Sequence, residues 1–192
     1  MPTAKLISIT PDYMQLLKRA AGQCYQIKAN DKVIQHIIEA GHLSVLEHCS
    51  ASFEVTCSIS VLLQLTRHRH LSFTVQSSRG SELNNFYVTG KNAIDVSVVR
   101  RMESYHDACM KTSCEDAAYL LPKAAEYKLV VTGNFRAWFE YLPKRLCKRA
   151  QREHRDLATL IYVELAENAP EIFSRNMKWC EKCTESRCEF KA

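Results

Sequence analysis

Arg67-His68-Arg69-His70-Leu71-Ser72-Phe73-Thr74-Val75-Gln76-Ser77-Ser78-Arg79 crowds cationic and hydroxyl side chains into one segment between apolar runs. The guanidiniums of Arg67 and Arg69, with His68 and His70 beside them, repel one another unless something negatively charged lies among them. A planar guanidinium is suited to bidentate contact with phosphate or carboxylate. Ser77, Ser78 and Arg79 add a second group of donors. A run of charge is ordinarily a solvated face, so the segment alone reads either as exposed surface or as an anion site.

Immediately upstream, Val61-Leu62-Leu63-Gln64-Leu65-Thr66 has helical spacing and sets Gln64 on the face of Arg67. Before it, Ser52 to Ser58 reads as a strand with Phe53, Val55 and Cys57 on one side. Ser44 and Glu47 stand at capping-box spacing, and His48 falls just ahead of that strand, where a lone histidine is ordinarily a satisfied structural group. Asn30 to Gly41 reads as a helix capped by Asn30 or Asp31, striped by Val33, Ile34, Ile37 and Ile38, and ended by Gly41.

Downstream, Gly80 to about Tyr105 is polar and weakly patterned, with turn signals at Asn84-Asn85 and Gly90-Lys91-Asn92, and reads as a loop. A short amphipathic helix follows through Tyr119, then a strand over Tyr127–Thr132 and a turn at Gly133-Asn134 into a helix that Pro143 should end. A long helix is expected from about Leu146 to Asn168, with Ala150, Leu157, Ile161 and Leu165 near one stripe and Pro170 beyond it. Lys144, Arg145, Lys148, Arg149, Arg152 and Arg155 crowd the joint, most of them as solvated charge. In the tail, from about residue 174 to 192, Cys180, Cys183 and Cys188 supply three thiolates. A structural zinc site needs four ligands, and no fourth is evident, so no metal is expected.

The chain's 192 residues suit one domain, 1–192, with a sizeable core and no internal boundary. A composition 46% hydrophobic and 24% charged, with five Gly and five Pro, excludes disordered and fibrous classes. Met1-Pro2-Thr3-Ala4-Lys5 lacks the basic-then-apolar pattern of a signal peptide, and no apolar run approaches the roughly 20 residues of a membrane span. A cytoplasmic protein is expected, its nine Cys reduced and some of them, such as Cys57, serving as small core residues. A net charge of +5 fits a nucleic-acid binder or a holder of multiply phosphorylated small molecules. Aromatics are not interleaved with Lys and Arg as a single-strand stacking surface requires, so no nucleic acid is expected as partner.

Arg67-His68-Arg69, followed by Ser72, Ser77 and Arg79, resembles the signature of the flavin-dependent thymidylate synthases. Gly41-His42-x-Ser44-Val45-Leu46-Glu47-His48 resembles that family's N-terminal motif, and Val130-Val131-Thr132-Gly133-Asn134-Phe135-Arg136-Ala137-Trp138 a further block. Arg145, with Cys147, Arg149-Ala150-Gln151 and Glu153, is similar to a third. The resemblance runs from about His42 to Pro170.

It implies an α+β fold, a twisted sheet flanked by helices, assembled as a homotetramer whose active sites span subunits. It also implies reductive methylation of deoxyuridine monophosphate (dUMP) at carbon 5, with methylenetetrahydrofolate as carbon donor and FAD, recharged by NADPH, as hydride source. FAD would meet His48, Ser50, Arg67, His68, Arg69, Asn134, Phe135 and Arg136. The nucleotide would meet Gln64, Arg67, Ser77, Ser78, Arg79 and Arg145, the last holding the uracil ring and promoting its ionised form. No protein nucleophile is obligatory in that chemistry, and Ser77 lacks an Asp-His pair to activate it.

Departures from the family pattern concern the nucleotide more than the flavin. Val75 stands where the family has Glu or Gln, Gly80 where it has Tyr, Glu140 where Asn or His approaches flavin, and Ala118 where it has a substrate-binding Arg. Losing a buried arginine contact to phosphate costs on the order of 1.5 to 3 kcal/mol, which a neighbour such as Lys123 would have to offset. Three readings follow: a thymidylate synthase of this family, a relative methylating or hydroxymethylating another uridine nucleotide, or a flavin- or nucleotide-binding protein without turnover.

Overall fold

The computed structural model of the chain describes residues 1–175, Met177, Cys183, Glu185, Ser186, Cys188 and Glu189, with Tyr25 described by its backbone alone. Alternation of apolar and polar residues yields strands β1 (Thr3–Ile9), β2 (Ser50–Ser58), β3 (Leu71–Val75) and β4 (Glu126–Asn134). They form one sheet in the order β1-β2-β4-β3, every neighbouring pair antiparallel. Phe53, Val55 and Cys57 of β2 lie buried on one side, as their period of two requires, together with Ala51, Leu129 and Val131.

Helices α1 (Tyr13–Tyr25), α2 (Asp31–Glu39), α3 (Ile59–Leu65), α4 (Asn92–Cys109), α5 (Cys114–Ala117), α6 (Phe135–Leu146), α7 (Arg152–Asn168) and α8 (Pro170–Phe173) complete an α+β architecture. Helices α3, α6 and α7 pack against the sheet. The opposite face leaves Glu54, Ser72, Thr74, Lys128 and Val130 exposed. Leu83, Val98, Met102, Tyr105, Ala117 and Ala125 form a second, smaller cluster between α4, α5 and the start of β4.

Helix α2 starts where expected, with Asn30 Oδ1 accepting from Val33 N at 3.2 Å, and Gly41 follows its end at φ +77°. Other elements depart from the sequence reading. Leu43–His48 is a 3-10 turn with no side-chain cap, because Glu47 turns to Arg136 instead of completing a box with Ser44. Helix α4 occupies much of the expected loop: it buries only Val98, Met102 and Tyr105, so its apolar stripe is thin, and Asp95 anchors its start by accepting from Thr89 and Gly90.

Gly133 and Asn134 complete β4 rather than forming a free turn. Pro143 lies inside α6. Burial of Trp138, Tyr141, Leu142 and Leu146 at about 1.5–3 kcal/mol each outweighs the roughly 3 kcal/mol that a mid-helix proline costs. The expected helix from Leu146 instead breaks over 147–151, where Arg155 Nη1 donates to the Lys148 carbonyl at 2.8 Å and Glu153 reaches across to Ser58. Ala150 therefore leaves the stripe, while Leu157, Ile161 and Leu165 are buried as expected.

Candidate functional site

Antiparallel register gathers three motif segments at one end of the sheet. Ser50, the first residue of β2, stands opposite Asn134, the last of β4; one step inward, Gly133 faces Ala51 on one side and Leu71 on the other. A Cβ on Gly133 would lie 2.4 Å from Leu71 Cδ2 and 3.1 Å from Trp138 Nε1, so any larger residue here would force Leu71 to shift. Beside this row His48 ends the 3-10 turn, residues 66–70 join α3 to β3, and α6 begins.

Asn134 caps α6 by accepting from Ala137 N at 2.8 Å, and Phe135 N donates to the Cys49 carbonyl at 2.8 Å. Phe135 itself is fully buried, its ring 5.6 Å from Tyr13 and 5.3 Å from Phe173, so its side chain belongs to the core. Arg136 lies between two carboxylates, donating from Nη1 to Glu47 at 2.6 Å and from Nε to Glu140 at 2.9 Å. Those bonds, to Glu140 foremost, raise its pKa further above the titration range.

A cleft of about 230 Å³ opens here, walled by Arg67, His68, Arg69, Glu140, Tyr141 and Lys144. Arg67 and Arg69 are exposed, and neither has a carboxylate within ion-pair distance among the described residues. Two guanidiniums on one connection with no carboxylate beside them suit an anionic group such as a phosphate.

Behind the cleft Arg145 is half-buried. Its Nε donates to His68 Nε2 at 2.9 Å, Nη1 to Gln64 Oε1 at 3.3 Å and Nη2 to the Gln64 carbonyl at 3.5 Å. Gln64 is tied in turn to Gln151. Burial lowers the Arg145 pKa, yet it retains its charge at any physiological pH. Burial first, then the charges of Arg145 and Lys144, push His68 down to about 4, which keeps its Nε2 free to accept.

Of the layer beneath, the sequence reading named only Glu153. Tyr141 is fully buried, its ring 4.9 Å from that of His68, and its hydroxyl is 3.1 Å from His154 Nε2. Glu153, 2% exposed, accepts from Ser58 N at 2.8 Å and from Ser58 Oγ at 2.6 Å. Tyr141, buried on α6 beside the joint, offered only a core aromatic to pattern reading. His154 sits three residues from Gln151 in the quoted block, but nothing local separates a buried histidine from an exposed one.

Ser77, Ser78 and Arg79 stand apart from Arg67 and Arg145, because β3 carries them to its other end. Arg79 engages Glu115 through Nε at 3.0 Å and Nη2 at 3.2 Å, both side chains exposed. Ala118, half-buried, follows α5 three residues beyond that Glu115. Lys123, exposed, lines a second cleft of about 550 Å³ with Ser60, Tyr87, Arg101 and Gln151. A further cleft, of about 740 Å³ around Lys18, Arg19 and Lys28, holds none of the expected residues. Of the tail cysteines, Cys180 lies outside the described residues; among the described residues no three His, Cys, Asp or Glu gather as a metal site.

The family model described as "Thymidylate synthase complementing protein" matches residues 5–171. A flavin-dependent thymidylate synthase of Mycobacteroides abscessus is 33% identical, covering 82% of this chain and 77% of its own. One of Corynebacterium diphtheriae is 31% identical, covering 88% and 81%. The crystal structure of thymidylate synthase X from Helicobacter pylori with FAD and dUMP superposes with a TM-score of 0.80 at 21% identity, over 90% of this chain and 97% of that one. Motif order, sheet and helices thus agree with sequence similarity over most of the length, and the chain belongs to the thymidylate synthase complementing protein family, the flavin-dependent thymidylate synthases.

Proposed function

We propose that this chain, a single domain over residues 1–192, converts dUMP to thymidine monophosphate in the cytoplasm, with methylenetetrahydrofolate, NADPH and FAD. The observation that carries the reading is Arg145: a half-buried guanidinium whose hydrogen-bond partners among the described residues, His68 and Gln64, are neutral. Its charge is therefore uncompensated and available to negative charge developing on a uracil ring, where a preorganised donor sheltered from water is worth most.

Bound here and reduced by NADPH, FAD would supply the hydride that completes the methyl group. Arg67 and Arg69 suit its pyrophosphate, while His68, His48, Ser50, Asn134, Arg136 and the main chain of Phe135 border the same end of the sheet. Gln64, Arg67 and Arg145 would hold the nucleotide from one side, Ser77, Ser78 and Arg79 from another. Arg145 orients the pyrimidine and favours its ionised form; no side chain here has to attack it.

A cleft of about 230 Å³ is smaller than the ~300–1,000 Å³ of sites for drug-sized ligands, and FAD is larger than these, so a second copy of the chain would supply the further walls. This supports a homotetramer with sites between subunits. Among the described residues no helix is long and apolar enough to cross a membrane.

A second reading, another uridine nucleotide as substrate, is motivated by Ala118 and by the Arg79–Glu115 pair, which change the nucleotide's surroundings from those the resemblance implies. Product analysis with deoxyuridine and uridine monophosphates, folate donor and NADPH decides between them: thymidine monophosphate is expected. A product from uridine monophosphate alone selects the second reading. An absorbance titration with FAD tests both, since no spectral change and no thermal stabilisation at saturation removes them together.

A further inference from the structure

We propose that His68 is a positioning residue: braced by Tyr141 and His154, it aims the guanidinium of Arg145 at the nucleotide, its Nε2 committed to Arg145 rather than to the flavin cleft it borders. This rests on the reading of Arg145 as a nucleotide-binding group.

An Nε–H of arginine directed at His68 Nε2 over 2.9 Å demands a ring nitrogen with a free lone pair, so His68 carries its proton on Nδ1. Burial keeps the imidazole in that neutral state, with a pKa of about 4. The ring cannot swing away, because the fully buried Tyr141 meets it edge-to-face at 75° and 4.9 Å. Tyr141 is fixed in turn by its hydroxyl, 3.1 Å from His154 Nε2, and His154 is itself 0% exposed.

Neutrality of the brace matters. Arg79, Arg136 and Arg149 all pair with carboxylates, which cancel their charge, whereas Arg145 is oriented by an imidazole and by Gln64. A guanidinium has five N–H groups, and among the described residues the three bonds leave one on each terminal nitrogen open. Two open N–H groups form a fork suited to a pair of acceptors on a planar ligand.

The test uses full-length His68→Phe, His68→Gln, Arg145→Lys and His68→Phe/Arg145→Lys, with dUMP affinity by calorimetry, FAD affinity by absorbance and a thermal midpoint for each. Gln can present Oε1 near the place of Nε2, whereas Phe keeps the ring and removes the acceptor. We expect His68→Phe to weaken dUMP about tenfold, His68→Gln to recover to within about threefold, and FAD affinity to stay within about twofold.

In the Arg145→Lys background the His68→Phe loss should vanish, since a brace has no effect without the group it holds. Equal loss of FAD and dUMP affinity, or additive losses in the double variant, overturns the proposal. Arginine Nε–H signals in a proton–nitrogen spectrum decide the brace without any ligand. Protection of the Arg145 signal in wild type and His68→Gln, and its loss in His68→Phe, supports the brace; a signal unchanged in His68→Phe refutes it. If wild type retains the protected signal and binds no dUMP, the functional reading fails while the brace stands.

Discussion

Glu153 is a carboxylate at 2% exposure, and it is stable there because both oxygens are occupied by Ser58. Ser58 also caps α3, accepting from Val61 N at 3.3 Å, so one buried acid fixes the start of the helix that carries Gln64. Glu153→Ala should therefore cost about 2–5 kcal/mol in urea unfolding, because two buried donors lose their partner. His154 predicts a pH effect. Burial foremost, then the charges of Arg145 and His68, push its pKa from 6.5 to about 3. Between those values the unfolded chain binds a proton that the folded chain refuses, so its contribution is complete above about pH 6.5 and is lost as pH falls towards 3. Comparing unfolding free energies at about pH 7.5 and about pH 5, His154→Gln should show a smaller drop than wild type. At this scale the type and spacing of Arg67 and Arg69 pointed to an anion, while Gln64 and Arg145 were singled out only through the family resemblance. Tyr141 and His154 stayed hidden, because a brace between helices has no local signature.

At the level of elements, the join between β4 and α6 supports both fold and site. Asn134 is an expected flavin residue, but its Oδ1 is already committed to Ala137 N. Asn134→Ser, which keeps a capping oxygen, should leave stability within about 0.5 kcal/mol, while Asn134→Ala should cost about 1 kcal/mol by chemical denaturation. One residue earlier, Gly133→Ala drives a methyl into Leu71 and towards Trp138, whose Nε1 is held by the Ala51 carbonyl at 3.0 Å. Overpacking of about 1–3 kcal/mol is expected, with the connection 66–70 displaced and FAD affinity reduced. Strongly patterned elements such as α2 and β2 were legible because apolar period and caps agree. Helix α4 was not, since three buried residues in an 18-residue helix make a faint stripe. Nor was the passage of α6 through Pro143, where tertiary burial overrides a local rule. The break at 147–151 is likewise set from outside, by Arg155 and Glu153.

Over the whole molecule, the two groups of expected nucleotide donors lie beyond opposite ends of β3, whose five residues at about 3.3 Å each separate them by roughly 16 Å along the sheet. Arg145, Gln64 and Arg67 belong to one end, Arg79 to the other, where it faces Glu115. If sites form between copies, one protomer supplies the first group to a nucleotide and another supplies the second. Two defective chains should then complement each other. Arg145→Ala and Arg79→Ala, purified separately, are each expected to lose nearly all thymidylate synthesis. Unfolded together and refolded as a one-to-one mixture, they should recover about one quarter of wild-type activity, since a site drawing each group at random receives two intact groups with that frequency. Light scattering of wild type with FAD should report four chains per particle. Complete absence of recovery in mixtures shown to contain hybrid tetramers would place both groups in a single chain. Arg79 would then have to release Glu115 and reach its nucleotide around the edge of β3, and the small cleft at Arg67 would need a different explanation.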